Sequence, residues 1–191
     1  IQKSGSGGFT LVFEDSWYLD IHFDTWTQSE QGISYGVFVT TTSASAQPSS
    51  FIKFNGLHHH IRLSNFKIDG KMTSFSQGGG GCGVQLYHQT YLRADYPGVF
   101  WHDILLENFF FFFTKGEGIY GGPNFSGGPL SLGLKDVEIR NFVMEDAGRE
   151  CIQTKCWYEG NNSIHDFVIR RSGQNSAAAE PAQIGGISVL D

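Results

Sequence analysis

The sequence predicts an all-β fold: a parallel β-helix, a solenoid in which short strands wind into about five stacked coils. Three observations carry this. One motif, apolar-x-apolar-x-Asn/Asp-Phe-x-apolar, recurs along the chain. Apolar residues within each copy alternate with period two, the spacing of a strand and not of a helix. Gly (25 residues) and Phe (17) are abundant in 191 residues, while charged residues make up only 17%.

The copies are Ile61-Arg62-Leu63-Ser64-Asn65-Phe66-Lys67-Ile68, Ile104-Leu105-Leu106-Glu107-Asn108-Phe109-Phe110-Phe111, Val137-Glu138-Ile139-Arg140-Asn141-Phe142-Val143-Met144 and Ser163-Ile164-His165-Asp166-Phe167-Val168-Ile169. Their Asn/Asp positions lie 43, 33 and 25 residues apart. A weaker first copy falls within residues 18–24, in an ambiguous register. A second short strand follows each copy: Gly83-Val84-Gln85-Leu86, Gly118-Ile119-Tyr120, Cys151-Ile152-Gln153-Thr154 and Gly186-Ile187-Ser188-Val189, with Gly36-Val37-Phe38-Val39 serving the first. Third strands fit residues 51–54, 99–102, 130–134 and Trp157-Tyr158.

In a parallel β-helix each strand pairs with its counterpart one coil on, at about 4.8 Å. Ile61, Leu63, Ile104, Leu106, Val137 and Ile139 then face one interior, and Phe66, Phe109, Phe142 and Phe167 stack beside them. Asn65, Asn108, Asn141 and Asp166 form a ladder at the first corner, where a short polar side chain can bond the backbone of the bend. An antiparallel β-sandwich competes, but it does not require the same Asn-Phe corner in every repeat. The chain reads as one domain, with residues 1–31 as a lead-in and 32–191 as repeat coils.

Composition excludes several classes. Abundant aromatics argue against disorder, and no apolar run is long enough to span a membrane. A net charge of −6 without a basic cluster argues against nucleic-acid binding. Cys82, Cys151 and Cys156 match no zinc spacing and read as buried thiols. In His58-His59-His60, strand alternation leaves at most two His on one side, so the triplet reads as a solvated segment rather than a metal site.

The segments Ala147-Gly148-Arg149-Glu150-Cys151-Ile152-Gln153, Gly116-Glu117-Gly118-Ile119-Tyr120, and Ile164-His165-Asp166 followed by Pro181-Ala182-Gln183-Ile184-Gly185-Gly186-Ile187 resemble secreted right-handed parallel β-helix repeat proteins of the pectate-lyase-like superfamily, a type common in Bacteroidota. The resemblance covers about residues 32–191. It implies a right-handed solenoid outside the cell or on its surface. Members include polysaccharide lyases, glycoside hydrolases, tailspikes, adhesins and structural surface proteins, and the fold does not decide among these. Cys151 departs from the pattern, which usually has Gly there.

Aligning the second strands sets Glu117 beside Glu150, about 5 Å apart on adjacent coils. Such a pair can bind Ca²⁺, serve as the acid and nucleophile of a retaining glycosidase, or cap Gly-rich bends with Arg149 balancing the charge. Glu107, Arg140, Glu138 and His165 form a mixed-charge patch on the first-strand face. Arg140 is the candidate proton abstractor of a lyase, and an inter-coil salt-bridge ladder is the plainer reading. Trp157, Tyr158, Tyr120 and Trp101, with Tyr87 and Tyr91, are aromatic candidates for stacking on sugar rings. The Phe run at residues 109–113, whose alternate Phe would face water, reads either as a contact surface or as a doubtful stretch of the sequence itself.

The expected function is a secreted or cell-surface structural or adhesive protein with a carbohydrate-facing side. The alternative is a polysaccharide lyase or glycoside hydrolase using Glu117/Glu150 or the Glu107–Arg140 face. The last residues fall inside a second strand. An uncapped solenoid leaves unpaired backbone groups, so the chain is expected to be part of a longer one or to stack on a neighbouring subunit.

Overall fold

A computed structural model describes residues 2–4, 8–23, 27–28, 34–40, 50–70, 82–88, 101–112, 114, 116–123, 134–155, 160–174 and 186–190. Among these residues there are strands and no helix. Among the described residues no helix is long and apolar enough to cross a membrane.

The chain alternates between two seven-stranded sheets that are mostly parallel. Sheet I contains β1 (Gln2–Ser4), β2 (Gly8–Glu14), β6 (Ser50–Asn55), β8 (Cys82–His88), β10 (Ile119–Pro123), β12 (Ile152–Lys155) and β14 (Ile187–Leu190) in that order; only β1–β2 is antiparallel. Sheet II contains β3 (Trp17–His22), β4 (Thr27–Gln28), β5 (Ser34–Thr40), β7 (His59–Asp69), β9 (Trp101–Phe112), β11 (Leu134–Glu145) and β13 (Ser163–Arg170). From β6 to β12, every strand of sheet I is followed in sequence by one of sheet II.

Register follows from the motif. Ile61, Ile104 and Val137 pair in line, as do Leu63, Leu106 and Ile139. A register slip of one residue would send these side chains to water, so burial holds the alignment. Equivalent Phe then lie one rung apart. Phe66–Phe109, Phe109–Phe142 and Phe142–Phe167 stack with centroids 5.2, 4.8 and 5.2 Å apart. Phe66, Phe109 and Phe142 are fully buried, each contributing about 1.5–3 kcal/mol by burial. One core cluster draws on both sheets, with Phe54, Val84 and Ile152 from sheet I and Leu63, Leu106 and Ile139 from sheet II.

Each long strand of sheet II carries left-handed residues within its extended run. Asn65, Asn108, Asn141 and Asp166 have φ of 60°, 54°, 50° and 54°. Asn and Asp tolerate this region better than most side chains. The amides link across the rungs: Asn108 Nδ2 donates to Asn65 Oδ1 (3.0 Å) and Asn141 Nδ2 to Asn108 Oδ1 (2.6 Å). A second such row, Tyr18, His60, Asp103 and Asp136, has φ of 57°, 55°, 56° and 52°.

Several expectations about the strands change. The first copy is split: β3 pairs with the first half of β7 (Leu19 with Ile61) and β5 with its second half (Gly36 with Phe66). Gly36-Val37-Phe38-Val39 therefore belongs to sheet II and is not a second strand. Phe51 to Phe54 lie in sheet I, with Ile52 opposite Val84. Trp101, His102 and Leu134 open the long strands β9 and β11 rather than forming separate third strands. Trp157 and Tyr158 lie outside the described residues.

Gly83 and Gly118 are required by close approach. A Cβ on Gly83 would meet Gly118 O at 2.5 Å, and one on Gly118 would meet Cys151 O at 2.6 Å. Cys151 occupies the next place in this row, and Gly186 the one after it, where a built Cβ would meet nothing nearer than 3.7 Å. Cys82 and Cys151 are buried free thiols, and burial pushes the Cys151 thiol up to about 12. Cys156 is outside the described residues. Within the Phe run, Phe109 and Phe111 point into the core, whereas Phe110 and Phe112 are half-buried outside it. The Lys67 ammonium lies 4.5 Å from the Phe112 ring centroid and 5.7 Å from that of Phe110. Phe113 is not among the described residues.

Candidate functional site

Residues that alternate with the core positions face outward from sheet II. Pairing aligns Asp20, Arg62, Leu105, Glu138 and Ser163 in one row, and His22, Ser64, Glu107, Arg140 and His165 in the next. Glu107 is the centre of the charges. Arg62 donates to its Oε1 through Nε (2.9 Å) and Nη2 (2.6 Å). Arg140 donates to Oε2 through Nε (2.9 Å) and Nη2 (2.7 Å). Burial pushes the Glu107 carboxyl up, but the four Arg hydrogen bonds and the Arg charges more than offset it and hold the group below its ordinary value.

The ladder continues in both directions. Arg62 reaches Asp20 at 3.7 Å. Arg140 Nη1 donates to Glu138 Oε1 (2.8 Å), which also lies 3.1 Å from His165 Nε2; His165 Nδ1 is 2.8 Å from Asp166 Oδ2. Hydrogen bonds to Asp166 and Glu138 raise the His165 pKa. The Arg140 pKa is raised as well, by its bonds to Glu107 first. An arginine held protonated by two carboxylates is a poor proton abstractor, since a general base needs a pKa near the working pH.

Flat rings border this ladder. Trp17 is 55% and Tyr18 70% exposed. Trp17 stacks on His59 (centroids 5.9 Å, 8° between planes), and His59 stacks on His102 (5.0 Å, 3°). Tyr18 stacks on His60 at 4.5 Å. Like-charged His102 and His60, after burial, lower the His59 pKa.

Glu117 and Glu150 lie at the start of sheet I, one rung apart, and both are buried at 3% and 0% exposure. The Cys82 thiol donates to Glu117 Oε2 (3.1 Å) and Arg149 Nη1 to Glu117 Oε1 (3.2 Å). Gln153 and Ser188 donate to Glu150 Oε1 at 3.3 and 3.5 Å, while Glu150 Oε2 has no hydrogen-bond partner. Burial raises the Glu150 pKa, and the charge on Glu117 adds to this. Burial and the same Glu117 charge push the Cys82 thiol up as well. Arg149 already supplies beside Glu117 the positive charge that Ca²⁺ would bring.

The aromatic candidates differ in placement. Trp101 is 2% exposed; its indole N–H donates to Gly56 O (2.9 Å) and its ring meets the edge of His58. It presents no ring to a ligand. Tyr120 is half-buried in sheet I between Gln85 and Gln153. Sequence reasoning missed Trp17, Tyr18, His102 and Asp103. Tyr18 opened the copy of ambiguous register and Trp17 stood just before it, and His102 comes to His59 only through strand pairing.

Comparison with protein-family models, with curated proteins and with solved structures finds no match.

Proposed function

We propose that the chain is a right-handed parallel β-helix of the pectate-lyase-like type. We assign it a structural or adhesive role outside the cell or at its surface, with the outer face of sheet II as its carbohydrate-facing side. Alternation between two mostly parallel sheets from β6 onward, each strand advancing one place, supports the solenoid. The observation that carries the carbohydrate reading is the exposed pair Trp17 and Tyr18 beside the Asp20–Arg62–Glu107–Arg140–Glu138–His165 ladder. Sugar rings offer C–H faces that stack on aromatic rings and hydroxyls that bond to planar, fixed donors and acceptors.

The test is binding to a glycan array and to soluble acidic and neutral polysaccharides. Parent protein binds at least one class, and the double substitution Trp17→Ala/Tyr18→Ala weakens that binding at least tenfold. Absence of binding to every polysaccharide overturns the reading.

The enzymatic alternative, a polysaccharide lyase or glycoside hydrolase, rests on the raised Glu150 carboxyl one rung from Glu117, which Arg149 pairs, an asymmetry of surroundings that an acid and nucleophile pair needs. Burial of both side chains counts against it. Depolymerisation by the parent protein, abolished by Glu117→Gln or Glu150→Gln, would establish the enzyme and sink the purely structural role.

A further inference from the structure

We propose that His60, His102 and Asp103 form a binding site for a divalent transition-metal ion of the Zn²⁺/Cu²⁺ class. This does not depend on the carbohydrate reading.

The three side chains are a group of potential ligands whose donor atoms all lie within 4.8 Å of one another. Strand pairing and backbone conformation bring them together. His59 pairs with His102 and Ile61 with Ile104, so His60 and Asp103 stand on adjacent rungs of β7 and β9. Both are left-handed, at φ of 55° and 56°. In a regular strand, neighbouring side chains point to opposite faces. A left-handed residue breaks that alternation, and His102 Nδ1 comes within 2.6 Å of Asp103 Oδ2.

The dimensions suit a small ion. A tetrahedral ion with bonds of about 2.0–2.1 Å holds its ligand atoms about 3.3 Å apart. His60 Nε2 and Asp103 Oδ2 are 3.4 Å apart. The shorter His102–Asp103 edge, at 2.6 Å, is a hydrogen bond; an ion takes the place of its hydrogen, and the edge opens by about 0.7 Å to reach the same spacing. Two imidazoles and one carboxylate favour Zn²⁺ or Cu²⁺ over Ca²⁺ and Mg²⁺, which take oxygen ligands.

Supporting contacts are in place as well. His60 Nδ1 is 2.8 Å from His59 Nδ1. With the proton of that bond on His60, its Nε2 turns a lone pair toward Asp103, the arrangement that orients metal-bound histidines. His59 is itself fixed in the stack between Trp17 and His102. Side-chain exposures of 41%, 37% and 48% leave the ion an open path and a coordination position for water or a ligand.

The experiment is calorimetric titration of the 191-residue protein with Zn²⁺, alongside His60→Asn, Asp103→Asn and His102→Phe. Asn tolerates the left-handed backbone and Phe keeps the ring stack, so all three should fold, as circular dichroism checks. One ion per chain is expected, with each variant binding at least tenfold more weakly. Cu²⁺ should also quench part of the tryptophan fluorescence, since Trp17 stacks on His59 and Trp101 directly precedes His102, and Trp17→Phe should reduce that quenching while leaving Zn²⁺ affinity intact. No saturable Zn²⁺ binding, or affinity unchanged in all three variants, overturns the site.

Discussion

Arg140 closes on Glu107 through two hydrogen bonds that converge on one carboxylate oxygen, at 2.9 and 2.7 Å, while Arg62 claims the other oxygen from the opposite rung. The carboxylate is 6% exposed and the guanidiniums 38% and 49%. Glu107 therefore ties three strands of sheet II together. Glu107→Ala is expected to cost about 2–3 kcal/mol, below the ~3–5 kcal/mol of a fully buried pair because both arginines keep contact with water. Its folded pKa lies below the ordinary 4.5, so its contribution is present above that pH and is lost as pH falls through the folded value. Denaturant midpoints of parent and variant, followed from pH 7 downward, should converge at the acid end.

The asparagine ladder is cut at Asp166. Asn65, Asn108 and Asn141 pass amide hydrogens from rung to rung, but Asp166 has a carboxyl group in place of the amide that would donate to Asn141. Asp166→Asn is expected to stabilise by about 0.5 kcal/mol, the low end for a hydrogen bond at an exposed position. Asn108→Ala loses two ladder bonds and places Ala at a left-handed φ of 54°, together about 2–3 kcal/mol. Asn108→Gly keeps the backbone comfortable and should cost about 1 kcal/mol less. Thermal unfolding of the three variants gives the order.

Glu117 and Glu150 should respond in opposite ways to the same substitution. Glu117 is matched by Arg149 and Cys82. Glu117→Gln leaves that arginine without its charge partner and should destabilise by about 1–3 kcal/mol. The Glu150 pKa is raised in the fold, so its stabilisation is full below 4.5 and is lost as pH rises through the folded value. At neutral pH Glu150→Gln removes a costly buried charge and should leave the melting temperature unchanged or higher. A lower melting temperature for Glu150→Gln at pH 7 would contradict this account.

His58 is 1% exposed, with ring nitrogens 3.0 Å from the carbonyls of Ser16 and Asn55. Burial, the largest effect, lowers its pKa below 6.5 despite those bonds. The unfolded chain then takes up a proton before the folded one does. Stability falls as pH drops below 6.5, down to the folded value. His58→Gln should abolish this slope while costing about 1–3 kcal/mol overall from lost ring-to-backbone bonds. The readout is the difference between parent and variant midpoints across pH 5–8.

The sequence by itself determined the repeating unit. Period-two alternation with Asn-Phe at a constant place implies in-register pairing, and from pairing follow the Phe stack, the Asn row, the Glu117–Glu150 adjacency and the Glu107–Arg140 contact. These are legible because an in-register parallel sheet converts equal motif positions into spatial neighbours. Tertiary structure alone decided the remainder. The split of the first long strand between β3 and β5 depends on which segment fills the edge of β7, and no periodicity records that. Trp101 is buried because its indole N–H finds Gly56 O across 45 residues. Left-handed backbone at His60, Asp103 and Asp166 cancels the alternation on which any face assignment from sequence rests. That is why His59 meets His60, His102 meets Asp103 and His165 meets Asp166, and why the His triplet, read as a plain strand, showed too few ligands on one side. The pattern of side chains reveals where strands run, but the φ of single residues, set by the packing of neighbouring rungs, decides which side chains meet.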